Sequence, residues 1–201
     1  VWLFPTAGKT WVYDVATQHW HERAYWNVNL GRFEAHKSAN HVYAFGKHLV
    51  GDPTSGNIYQ MSINFQDDNG NPIERLRRSP VIATEFERIF HNEITFDVEL
   101  GQGPMPPLLD GNGLPRDPQL LLSWSDDGAH TWSNEYAVNC GQAGVFKRRA
   151  KRTRLGSTKF GRVYQIRATD PVPWRIIEGY LDADPGFKKQ PRIVKEYAKA
   201  G

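Results

Sequence analysis

Eight Lys and Arg residues and no carboxylate occupy positions 145–162: Lys147, Arg148, Arg149, Lys151, Arg152, Arg154, Lys159 and Arg162. The rest of the chain holds 17 Lys and Arg against 22 Asp and Glu, so a formal net charge of only +3 conceals a sharp asymmetry. The chemistry open to such a segment is electrostatic. It suits a wet groove, a sheet edge guarded by charge, an acidic neighbouring subunit or a polyanion. If Phe146 to Leu155 is a strand, Phe146, Arg148, Ala150, Arg152 and Arg154 point one way and Lys147, Arg149, Lys151, Thr153 and Leu155 the other. Neither set makes an ordinary core. Lys147, Arg148, Arg149, Lys151, Arg152 and Arg154 are therefore the candidate contacts to nucleic acid or to another subunit. No repeated aromatic platform accompanies them, which counts against base stacking on single strands.

The remaining reactive side chains assemble no catalytic site on paper. Of seven histidines, His19 and His21 share one strand face but lack a third ligand. Asp126 and Asp127 sit in a turn, where Asp is wanted for its backbone hydrogen bonds, whereas a glycosidase needs two carboxylates converging across a sugar. Asp67-Asp68-Asn69-Gly70-Asn71-Pro72 superficially resembles a calcium loop, yet its glycine is fourth instead of sixth and Arg78 stands at the twelfth position. It reads as a hairpin loop. No Gly-rich phosphate loop, His-Glu-x-x-His helix or nucleophile elbow occurs. The expectation is no catalytic residue, no metal and no cofactor.

The elements that must carry the basic segment are strands. Leu120 to Trp124 reads as one, Ser125-Asp126-Asp127-Gly128 as a tight reversal, and Thr131-Trp132 as the start of the return. Ser125, Asp127, Gly128, Thr131 and Trp132 match the Asp-box pattern of β-propeller turns, in which the Asp accepts backbone N–H groups and the Trp packs beneath. Ala129 departs from it, standing where a second glycine is usual. Gly and Pro together number 31 and aromatic residues are 12%, a mixture suited to short strands and turns. Cys140 is the single cysteine, which excludes an intrachain disulfide framework. No run of 18 apolar residues and no signal-peptide pattern is present, so no membrane partner is expected. A first residue Val1, with Met61 and Met105 the sole methionines, points to a piece of a longer polypeptide.

Along the chain, strands are expected at 9–14 and 19–24, with residues 31–40 as loop. Further strands are expected at 41–45, 48–52 and 58–61. Phe90 to Leu100 alternates cleanly, placing Phe90, Asn92, Ile94, Phe96, Val98 and Leu100 on one face. Residues 101–118 form a Gly/Pro-rich insertion suited to contact with another chain. Strands at 163–168 and 174–181 follow. Four strand–turn–strand units start at Val12, Ile58, Leu121 and Val163, a spacing typical of propeller blades. The expected fold is all-β with propeller-like blades over residues 1–184, a β-sandwich being the alternative. Residues 185–201 are expected to be a basic tail, a short helix or disordered.

Ordered pieces of the chain resemble the packaged-DNA stabilisation, or tail-hub, family of short-tailed bacteriophages, in its C-terminal part. They are Thr10 to Asp14 with Trp20 to Arg23; Arg32 to Asp52 with Ser55 to Tyr59; Arg88 to His91; Ser125 to Gly128 with Thr131 to Ser133; and Arg154 to Gly156 with Arg162-Val163 and Asp170-Pro171. Lys151 and Thr153 depart from the apolar or aromatic character expected beside the basic strand. The resemblance implies a structural virion protein without enzymatic activity. It implies a hexameric ring below the portal and its adaptor that helps retain packaged DNA and seats the tail needle and tailspikes, after assembly in the host cytoplasm. The competing classes are a sialidase-like propeller glycosidase and a carbohydrate-binding receptor module.

Overall fold

A computed structural model describes residues 1–84, 87–100, 108–141 and 149–186. In chain order the strands are β1 (Trp2–Phe4), β2 (Lys9–Asp14), β3 (His19–Glu22), β4 (Ala24–Asn27), β5 (Arg32–Ala35), β6 (Asn40–Ala44), β7 (Lys47–Gly51), β8 (Ile58–Met61) and β9 (Asp67–Asp68). They continue with β10 (Asn71–Pro72), β11 (Arg75–Arg78), β12 (Ile89–Leu100), β13 (Gln119–Ser125), β14 (Tyr136–Asn139), β15 (Arg149–Thr153), β16 (Ser157–Thr158), β17 (Val163–Ala168) and β18 (Trp174–Pro185). The described elements are all β, as expected. They divide between two compact units.

The first unit, Val1–Arg75 with the described parts of Gln102–Arg116 and with Ala168–Pro173, is a set of small antiparallel sheets: β1-β2-β3, β4-β5, β6-β7-β8 and β9-β10. In the first of these the register sets Trp2, Phe4, Trp11, Tyr13 and Trp20 on one face. All five are exposed, while Thr10 on the opposite face is fully buried. Asn69 and Gly70, both at positive φ, form the two-residue turn between β9 and β10, and the Gly70 N–H donates to Asp67 Oδ1 at 2.9 Å. The calcium-like stretch is thus a hairpin. The β4–β5 hairpin occupies part of the segment expected to be loop. Trp26 lies across from Phe33, with ring centroids 4.9 Å apart, and the Asn27 carbonyl and side chain cap the intervening turn.

The second unit packs two sheets. One runs β11-β17-β13-β14; the other has β12 at its centre, with β18 along one edge and β15 then β16 along the other. Leu120, Leu122, Val138 and Ile166 from the first sheet and Ile89, Ile94, Phe96, Val98 and Ala150 from the second are buried. Burying each large apolar side chain stabilises the fold by about 1.5–3 kcal/mol. The His91 and Tyr164 rings meet edge to face at 5.7 Å between the two sheets.

Three expectations are corrected. The units beginning at Leu121 and Val163 lie on β13 and β17, which hydrogen-bond to one another in one sheet instead of forming successive blades. The described strands close no propeller. On β12 the buried positions are Ile89 and His91, then Ile94, Phe96 and Val98, so the phase switches midway and Phe90 faces solvent. The cause is a β-bulge: His91 pairs with Ala183 and Glu93 with Asp182, leaving Asn92 as the extra residue. The strand expected at 174–181 runs on to Pro185.

Candidate nucleic-acid and subunit interface

β15 carries Arg149, Lys151 and Arg152 of the basic segment; Lys147 and Arg148 lie outside the described residues. Its side chains are already engaged. Ala150, the small residue in a run of cations, is fully buried and pairs with Phe96, which seats the strand on β12. Lys151 Nζ lies 3.3 Å from Glu93 Oε2. The Arg149 guanidinium stands 5.9 Å from the centroid of the Tyr180 ring. Arg152 shares Ala150's side of the strand and stacks 4.6 Å from the Tyr136 centroid on the facing sheet. Cation–π contacts of this kind contribute about 0.5–2 kcal/mol each. The expectation that neither face meets a core fails at Ala150 and Leu155. Arg154 adopts φ 60°, which breaks the alternation and turns the buried Leu155 inward.

The solvent face of this sheet is more acidic than basic. Register and bulge together place Glu93, Asp97 and Glu99 of β12 and Glu178, Asp182 and Asp184 of β18 on the same side as Arg149, Lys151 and Arg175. Of the basic strand's cations, Lys151 is the one seen in an ion pair on this face, with Glu93.

The Asp-box-like turn is closed by hydrogen bonds among its own residues. Asp127 Oδ1 accepts from the Ser125 hydroxyl at 2.6 Å and from the His130 and Thr131 N–H groups at 3.0 and 2.9 Å, while Oδ2 accepts from the Thr131 hydroxyl at 2.5 Å. These bonds, the Ser125 hydroxyl foremost, hold the Asp127 carboxyl well below the usual carboxylate range. Ala129 takes φ 72°, so the turn keeps a left-handed backbone without a second glycine. Because a side chain in that region costs about 1 kcal/mol or more, Ala129→Gly is expected to raise stability by about 0.5–1 kcal/mol, read as an upward shift of the denaturation midpoint. An unchanged or lower midpoint would contradict the strain. Trp132 is half-buried, with the Arg78 guanidinium 4.8 Å from its centroid. The return strand starts later than expected, at Tyr136.

Two features escaped sequence reading. Arg162, one of the eight basic residues at 145–162, is 2% exposed. Its Nε and Nη2 donate to the two Asp126 oxygens at 2.6 and 2.8 Å and its Nη1 to the Leu155 carbonyl at 2.5 Å, with the Trp124 centroid 5.3 Å away. It clamps the Asp-box turn to the Arg154–Gly156 excursion. Beside it, His91 is 2% exposed and neither ring nitrogen has a hydrogen-bond partner among the described residues. Burial, with the Arg162 charge second, pushes its pKa down to about 4. In the first unit His19 and His21 are exposed on β3. The described part of the Gly/Pro insertion is a compact loop in which Asp110 Oδ1 accepts the Asn112 and Leu114 N–H groups and Arg116 grips Asp170. Residues 101–107, part of the expected contact loop, lie outside the described residues.

Two packed sheets tied by an internal clamp, with charges and aromatic rings paired across their margins, define a structural all-β domain. Residues 74–184, more than half of the chain, match the family model described as Bacteriophage P22 Gp10, beta-sandwich, and the chain belongs to that family. It is a bacteriophage tail structural component and hence a virion protein. The sandwich, the alternative to propeller-like blades, is the architecture that this description carries. No curated protein sequence matches the chain.

Proposed function

We propose that the chain is the C-terminal part of a tail hub: a plug below the portal and adaptor, assembled as a hexameric ring in the host cytoplasm, that helps retain packaged DNA and seats the tail needle or tailspikes. The observation that carries this reading is the family match over the sandwich, which coincides with the stretch holding the basic segment. Lys151, Arg152 and Arg162 contact groups of the fold, so the candidates for a phosphate contact are Lys147, Arg148, Arg149 and Arg154; Arg149 and Arg154 are exposed, and Lys147 and Arg148 lie outside the described residues. Six copies around a lumen would multiply a weak attraction per subunit. The match to a structural tail family supports a role without catalysis, and hydrolysis of a fluorogenic sialoside would count against it.

The test is solution mass by light scattering, alone and with duplex DNA across a salt series. The expected result is a ring whose DNA affinity falls steeply with salt. Replacing Arg148, Arg149 and Arg154 by Ala is expected to flatten the salt slope by about one for each phosphate that is no longer neutralised. A monomer indifferent to DNA would overturn the DNA contact for this chain and leave the basic segment as a protein interface.

A further inference from the structure

Among the described residues β18 has a single ladder partner, β12, and no strand pairs with its second edge over Arg175–Pro185. At 12 residues it is about twice the length of an average strand. An open edge of that length invites pairing with another segment and is ordinarily covered or interrupted. Its outward face is acidic as well as open. Lys151 meets Glu93 and Arg175 meets Glu99, whereas Asp97, Glu178, Asp182 and Asp184 have no cationic partner among the described residues. The Tyr180 hydroxyl donates to Glu178, and this bond, followed by partial desolvation and the Glu178 charge, holds the phenol above its usual range against the opposing Arg149 charge.

The sequence supplies a complement. Residues 187–201 follow β18 almost directly, lie outside the described residues, and hold Lys188, Lys189, Arg192, Lys195 and Lys199 against one carboxylate, Glu196. We propose that this segment docks in its own chain along the free edge and acidic outer face of β18. At about 3.3 Å per residue it is long enough to reach back along the strand after a reversal. The short connection through Gly186 gives it a high effective concentration there. Pro191 has no N–H to donate, so backbone pairing is interrupted at that point. The docking does not depend on the hub reading, because it concerns an edge and a segment of the same chain.

The experiment uses the full 201-residue chain and a full-length variant with Lys188→Glu, Lys189→Glu, Arg192→Glu and Lys195→Glu. Amide hydrogen exchange is followed over β18, and a labelled peptide of residues 187–201 is titrated into both. The expected result is slow exchange at the β18 amides of the wild type, accelerated by about tenfold or more in the variant and by high salt. The peptide is expected to bind the variant with a salt-sensitive affinity and to bind the wild type poorly, its site being occupied. Equal exchange in both chains, or a peptide that binds neither or both alike, overturns the proposal. A wild-type mass that grows with concentration, and in the variant does not, moves the segment to a second copy and also overturns it. Asp182→Lys, at an exposed position that takes no part in the Asn92–Asp184 bond, is an independent check and is expected to accelerate exchange in the same way.

Discussion

Arg162→Met is expected to lower the stability of the sandwich unit by about 3 kcal/mol. Three nitrogens of this guanidinium donate at once, two to Asp126 and one to the Leu155 carbonyl, and its plane lies near Trp124. Methionine fills much of the volume but leaves the Leu155 carbonyl and the inner side of Asp126 without donors. Asp126 is 44% exposed, so water recovers part of the loss on that side; little recovery is open to the carbonyl. Arg162→Lys is expected to rescue only a small part, because an ammonium cannot bond both carboxylate oxygens and reach Leu155 from one position. Denaturant unfolding followed by near-ultraviolet circular dichroism reads the change. A double-mutant cycle with Asp126→Asn isolates the pair, with an expected coupling above about 1 kcal/mol. A loss under about 1 kcal/mol in the Met variant would show that the clamp does not hold the turn.

The second large effect is a loss of stability in mild acid, centred on His91. Its pKa is lowered to about 4 in the fold, from an ordinary value of 6.5. Between those values the unfolded chain takes up a proton that the folded chain refuses. Stability therefore falls as pH drops from about 6.5 to about 4, and is flat with respect to this group above and below that window. The full difference corresponds to about 3 kcal/mol. The groups facing the ring are Arg162, which opposes protonation, Asp126, which favours it, and Tyr164. The carboxyls of Asp52 and Asp127 are depressed in the fold, so their contributions are lost only below about pH 3.8, outside the histidine window. His91→Leu is expected to reduce the slope of the stability profile of the second unit between pH 4 and 6.5, while His36 in the first unit, also lowered by burial, keeps its own share of the acid sensitivity. A profile unchanged by the substitution would assign the acid sensitivity elsewhere.

Local chemistry made parts of this fold readable from the residues alone. Ser125, Asp127, Gly128 and Thr131 specify their turn among themselves, within a few residues, through the hydrogen bonds that Asp127 accepts. Leu120 to Trp124 reads as a strand because its apolar run borders that turn. The β4–β5 hairpin was less legible: Asn27 to Gly31 mixes polar and apolar residues, and the cross-strand Trp26–Phe33 pair that stabilises it appears only once the strands are aligned. The phase switch in β12 was hidden for a different reason. Asn92 bulges where its carbonyl accepts the Arg154 N–H and its amide donates to Asp184, partners distant in the chain. The clamp was invisible likewise. Arg162 looked like one more surface cation and Asp126 like one more turn carboxylate, and only packing brings them together. The basic segment was legible as charge, but the ion pair of Lys151 with Glu93 depends on the pairing of β12 and β15.

The bulge at Asn92 also bears on which changes of length the gene can absorb. Deleting one residue from a strand ordinarily turns every later side chain to the wrong face. Here the residue to lose is already supernumerary: without Asn92, His91 would be followed by Glu93 outward and Ile94 inward, in strict alternation. The same deletion at Thr95 would invert Phe96 and Val98 into solvent. A single-codon loss is thus survivable at one place in this strand and ruinous three residues further on, so related sequences that differ in length by one residue can share one core.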